Sequence, residues 1–75
     1  MELTIFVHPE RPGFWSEVQE LPGCFASGRT LSELQEALEE SISLYLGEGP
    51  LQMLHEPLQL GAQRARVVGA AGRAR

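Results

Sequence analysis

The side chains able to do chemistry in this 75-residue chain are few: Cys24, His8, His55 and the glutamates. A thiol becomes a nucleophile when an adjacent base or cation activates it. Cys24 has no such neighbour in sequence; it follows Leu21-Pro22-Gly23 and enters a short apolar run, the setting of a small buried hydrophobe. His8 sits in a loop between strands and His55 in a connector, without a metal-ligand spacing between them. Two-metal hydrolysis needs several carboxylates converging on a pair of ions. The first strand supplies only Glu2, and the helix glutamates point away from the sheet. The expectation is a protein with no catalytic residue, no metal and no cofactor, and not an enzyme.

The helix glutamates offer binding instead of catalysis. Glu33, Glu36, Glu39 and Glu40 cluster on one side of the helix, and no Lys or Arg occurs between Leu31 and Leu46 to pair with them. Like charges at Glu36 and Glu40, four residues apart, repel one another when nothing relieves them. Leu44 lies off the apolar stripe and beside these acids. An exposed leucine rimmed by carboxylates suits a basic partner, so Glu36, Glu39, Glu40 and Leu44 are the candidate partner-binding residues.

Charge distribution supports the same kind of partner. Residues 1–60 hold all ten glutamates against Arg11 and Arg29, a balance of −8, while residues 61–75 hold Arg64, Arg66, Arg73 and Arg75 and no acid. An acidic body repels phosphates and attracts basic proteins. Arg73 and Arg75, two charges in a small-residue tail, add little affinity for nucleic acid, so DNA binding is doubtful. A single cysteine excludes an intrachain disulfide framework and fits a reducing compartment. No run approaches the ~20 apolar residues of a membrane helix. The expected location is cytoplasmic.

These residues need a scaffold, and the pattern describes one. Leu3, Ile5 and Val7 alternate with Glu2, Thr4 and Phe6, the period of a half-buried strand. His8–Gly13 reads as the hairpin loop. Phe14–Gln19 is a second strand with Phe14, Ser16 and Val18 on one side. Leu21-Pro22-Gly23-Cys24 is a type II turn, with Pro22 presetting φ and Gly23 free to take a positive φ. Cys24–Gly28 is a third strand.

Thr30-Leu31-Ser32-Glu33 forms a capping box. Leu31, Leu34, Leu38, Ile42 and Tyr45 fall on one helical stripe, and Gly47 stops the helix. Residues 47–57 form a connector with room for one helical turn at Leu51–Leu54. Leu58–Val68 is a last strand, whose Arg64 and Arg66 either blunt a sheet edge or meet glutamates of a second subunit. The order β-β-β-α-β defines an α+β domain over residues 1–68, with a flexible basic tail over 69–75. A helix crossover favours a last strand parallel to the first and beside it, a mixed sheet of order 3-2-1-4 with the helix on one face. A core this small leaves little surplus stability, so a homodimer or homotetramer is expected.

Phe14-Trp15-Ser16-Glu17-Val18-Gln19-Glu20-Leu21-Pro22-Gly23-Cys24, followed by Gly28-Arg29-Thr30-Leu31-Ser32-Glu33 and a helix ending near Leu46, resembles the HicB-like antitoxin family. The order and spacing of these pieces over residues 2–46 carry the resemblance. It implies a partial ribonuclease-H-like fold and a role in a toxin-antitoxin system, binding and silencing a small basic RNA-cleaving toxin of the HicA type. Arg29 stands where the family usually has an acid, and Leu34 where it usually has alanine. The C-terminal DNA-binding module of longer members does not fit in the residues after position 60. The other reading is an orphan, non-catalytic module of the same fold that binds a small molecule or nucleic acid. Within the resemblance, Leu21, Pro22, Gly23, Cys24, Thr30 and Glu33 are structural turn and cap residues.

Overall fold

The computed structural model describes residues 1–54 and 57–69. His55, Arg73 and Arg75, together with all of the tail assigned to 69–75 except Gly69, lie outside the described residues. The chain is α+β, with one helix and five strands: β1 (Glu2–Glu10), β2 (Gly13–Val18), β3 (Phe25–Gly28), α1 (Leu31–Leu46), β4 (Leu51–Met53) and β5 (Gly61–Gly69).

The first three strands form the expected antiparallel meander. Its first turn is tighter than the sequence suggested. His8, Pro9 and Glu10 do not form a loop; they continue β1 and pair with Trp15, Phe14 and Gly13. Partners across the sheet hold them: the His8 ring stacks on Trp15 at 4.4 Å between centroids. The turn after β2 is as expected, with Gly23 at φ 89° and the Cys24 amide donating to the Leu21 carbonyl at 3.0 Å.

The helix also forms where its signals lie. Thr30 Oγ1 accepts the amide hydrogen of Glu33 at 3.0 Å, and Gly47 closes the helix at φ 70°. Glu33 Oε1 accepts from the Arg29 amide at 3.0 Å, one residue ahead of the cap. Leu34, Leu38 and Ile42 are fully buried, whereas Tyr45, the last residue of the expected stripe, is 47 % exposed.

Beyond the helix the topology differs from expectation. Leu51–Met53 is a strand and not a helical turn, and the last strand pairs antiparallel, not parallel, with β1. The sheet order is β3-β2-β1-β5-β4: the expected last strand lies beside β1, as the order 3-2-1-4 had it, but antiparallel to it, and β4 is an added strand on its outer side. The physical reason is one extra reversal. The crossover helix delivers β4, which does run parallel to β1, but the chain then turns back and β5 inserts between them. Gly69, read as the first tail residue, pairs with Leu51 as the end of β5.

The core lies between α1 and one face of the sheet. Leu3, Ile5 and Val7 of β1, Val18 of β2, and Ala65 and Val67 of β5 meet Leu34, Leu38 and Ile42, with Met53 and Leu58 closing the far side. The alternation of β1 means that its other residues, Thr4, Phe6 and His8, face away from the helix. That second sheet face has no covering element among the described residues.

Candidate functional site

A groove along one flank of α1 collects the residues that the sequence singled out. Its walls follow from two local devices. At the C-terminus of the helix, the Gly47 amide donates to the Leu44 carbonyl at 3.2 Å and the Glu48 amide to Ser43 at 3.1 Å, the bonding of a left-handed cap. The Ser43 hydroxyl shares its hydrogen between the carbonyls of Glu48 (2.7 Å) and Gly49 (2.8 Å). These contacts fold the chain back so that Pro50 and Leu51 run beside the helix.

Glu39 supplies the second device. Its Oε2 accepts the Met53 amide hydrogen at 2.9 Å, so the side chain bridges α1 and β4. Glu39 is half-buried and does not stand on the fully solvated far side where the helical period put it. Without β4 in the expected fold, that bridge could not be anticipated.

Glu36, Glu39, Glu40 and Leu44 consequently line one concavity of about 410 Å³, with Pro50 and Leu51 opposite. A larger concavity of about 690 Å³ shares Glu36, Glu39 and Leu51 and continues past Leu31, Met53 and Leu54. Together they form a groove with an apolar floor and a carboxylate rim. Leu44 is 75 % exposed. Glu36 and Glu40 have no ion-pair partner among the described residues. Glu33, counted with the acidic cluster, is spent on the Arg29 amide.

The groove can hold a long cationic side chain, whose apolar stem lies on the leucines while its head reaches the acids. Exposed ion pairs contribute only about 0–1 kcal/mol each. For such a side chain the acids would govern approach and orientation, and apolar contact would supply most of the affinity.

The residues considered for catalysis are kept apart. Cys24 is 2 % exposed, with its Sγ 3.4 Å from Ser41 Oγ, and Ser41 donates to the Phe25 carbonyl at 2.9 Å. His8 lies on the opposite face of the sheet, where its Nε2 is 2.9 Å from Glu17 Oε2. Glu2 is also on that face and receives a 2.9 Å bond from Arg64. Among the described residues, no three His, Cys, Asp or Glu side chains come together as a metal-ligand set, and no helix is long and apolar enough to cross a membrane.

Sequence reasoning missed a second surface. Phe6, Trp15 and Phe25 lie together on the uncovered sheet face, with Trp15 and Phe25 centroids 6.0 Å apart. The signal was present: Phe6 alternates with the buried residues of β1, and Trp15 with those of β2.

A UPF0150 protein of Archaeoglobus fulgidus is 36 % identical to the chain over 47 residues, covering 61 % of the chain and 68 % of that relative. No family model matches the chain, and no solved structure matches it.

Proposed function

The chain belongs to the UPF0150 protein family, and from the acidic groove we propose that it acts as an antitoxin of the HicB type, binding and neutralising a small basic RNA-cleaving toxin. The observation that carries this reading is the convergence of Glu36, Glu39, Glu40 and Leu44 on one groove with an apolar floor. The motif order from Phe14 to Glu33 supports it by resemblance. In this reading the domain is a partial ribonuclease-H-like fold with β4 added at its edge, and the protein works in the cytoplasm.

The mechanism is stoichiometric occlusion and not turnover. A basic ribonuclease must present cationic groups to hold RNA phosphates. The carboxylates of Glu36 and Glu40 compete for those same groups, while Leu44 and Leu51 bury apolar surface of the toxin. Long-range attraction between an acidic inhibitor and a basic enzyme speeds their encounter. No metal, cofactor or catalytic residue of this chain takes part.

The test is co-expression with the adjacent gene. The expected result is a small basic protein that co-purifies with the chain and cleaves RNA only when separated from it. A neighbour that neither binds the chain nor cleaves RNA would leave a non-catalytic binding module of another kind.

A further inference from the structure

We infer that the uncovered sheet face is a self-association surface, on which a second copy of this chain packs face to face. This rests on residues remote from the groove and is independent of the proposed inhibition. The chain has five Phe, Trp and Tyr residues, and three of them, Phe6, Trp15 and Phe25, lie on this face. Phe25 is 56 % exposed. Aromatic side chains gathered on a solvent face, with arginines beside them, are the composition of an interface centre.

Cross-strand pairing shows what surrounds them. Phe6 lies opposite Glu17 on one side and Ala62 on the other, and Glu17 lies opposite Phe25. Arg64 and Arg66 occupy the β5 side of the same face, opposite Thr4 and Glu2. Glu20 lies beside Thr4 and bonds to its hydroxyl at 2.8 Å. The face thus has an aromatic centre, Glu17 and Glu20 toward β2, and arginines along β5, where Arg64 also bonds to Glu2 of β1.

That layout is complementary to itself. The strands run in the order β3-β2-β1-β5 across the face. A two-fold axis parallel to the strands, between β2 and β1, lays β5 of one copy over β3 of the other and β1 over β2. By the strand register, Phe6 of each copy then lies over Glu17 of the other and Ala62 over Phe25, while Arg64, two residues further along β5, comes over the Gln19 and Pro22 end of the partner's face. A concavity of about 460 Å³ between Phe6, Glu17 and Phe25 is open to receive an arginine, which can stack on the rings and pair with the carboxylate.

Size is also sufficient. Six residues each of β1, β2 and β5 and the four of β3, in strands about 4.8 Å apart, give roughly 350 Å² of projected face per copy. Allowing for side-chain relief, two copies bury roughly 1,000 Å², about the least that a specific interface needs. The mixed charge also separates this occupant from single-stranded nucleic acid. Base stacking on the aromatics is available, but Glu2, Glu17 and Glu20 oppose a phosphate backbone on the same face.

Sedimentation equilibrium of the full chain tests the inference. The expected result is a concentration-dependent species of twice the 8.3 kDa protomer mass. Phe25→Asp should weaken it by about tenfold or more, as the loss of a central aromatic anchor does. Leu44→Asp, in the groove, should leave it unchanged. If Phe25→Asp loses its native circular dichroism, Arg66→Glu takes its place, an exposed strand residue carrying no core contact. A monomer at every concentration overturns the inference. So does a dimer lost in Leu44→Asp and kept in Phe25→Asp or Arg66→Glu. Tight binding of a single-stranded RNA oligonucleotide, lost in Phe25→Asp, would assign the face to nucleic acid instead.

Discussion

The Glu39 carboxylate accepts the amide hydrogen of Met53 at 2.9 Å, and this bond joins the acidic helix to the short strand that completes the groove. Met53 is 3 % exposed, so its amide has little access to replacement water. Glu39→Ala is predicted to destabilise the fold by about 1–2 kcal/mol, the cost of a buried donor left without an acceptor. Glu39→Gln retains an acceptor oxygen and should cost less. Denaturant midpoints of the two variants check the order; equal losses would show that the bond does not hold β4.

Gly28 marks where β3 and the start of α1 come closest. A Cβ there would lie 2.6 Å from the Leu34 amide nitrogen and 2.9 Å from the Glu33 carbonyl carbon, both backbone atoms that cannot swing away. Gly28→Ala should cost about 1–3 kcal/mol by forcing the helix off the sheet. Gly49→Ala meets nothing within 4 Å and serves as the control. Thermal unfolding of both distinguishes crowding at position 28 from a general effect of replacing glycine.

Glu20 gives the fold a defined acid sensitivity. Its carboxylate accepts the Thr4 amide at 2.7 Å and the Thr4 hydroxyl at 2.8 Å, closing the end of the β1–β2 ladder. The amide bond first, then the hydroxyl bond, holds its pKa below the ordinary 4.5. With the folded pKa lowered, the unfolded chain takes up this proton first as pH falls. The stabilisation is complete above the ordinary value and is lost as pH drops through the lowered one. Stability measured between about pH 7 and about pH 3 should fall more steeply in the wild type than in Glu20→Gln. Parallel curves would remove Glu20 from the account.

Ser16 is fully buried, and its Oγ has no hydrogen-bond partner among the described residues. A hydroxyl in an apolar core without a partner is a net cost. Ser16→Ala is predicted to stabilise the protein by about 1 kcal/mol, read as a raised denaturant midpoint with an unchanged slope. A loss of stability would mean that the hydroxyl finds a partner in solution.

Local signals were readable wherever a residue's conformation depends on near neighbours. Thr30, Glu33 and Gly47 bound the helix, and Pro22-Gly23 makes the turn, because caps and turns are contacts within a few residues. The buried alternation of Leu3, Ile5 and Val7 placed β1 for the same reason. What remained hidden depends on distant partners. Leu51–Met53 is too short to show a period, and its strand state is enforced by Glu39 and by pairing to Val67–Gly69. Missing that strand reversed the direction assigned to β5. The acidic residues of the site were identifiable as an unpaired cluster, but the groove that unites them with Leu44 exists only because β4 forms.

Titration of RNA cleavage by the basic partner with this chain tests the central proposal most directly. The proposed inhibition predicts that cleavage falls linearly to zero at a one-to-one ratio with wild-type protein. Glu36→Lys/Glu40→Lys, exposed substitutions that leave the fold intact, should weaken inhibition by about tenfold or more, since like charges then face each other across the contact. Complete inhibition by that double variant at the wild-type ratio, or no inhibition by the wild type, would contradict the assignment of this groove as the toxin-binding site.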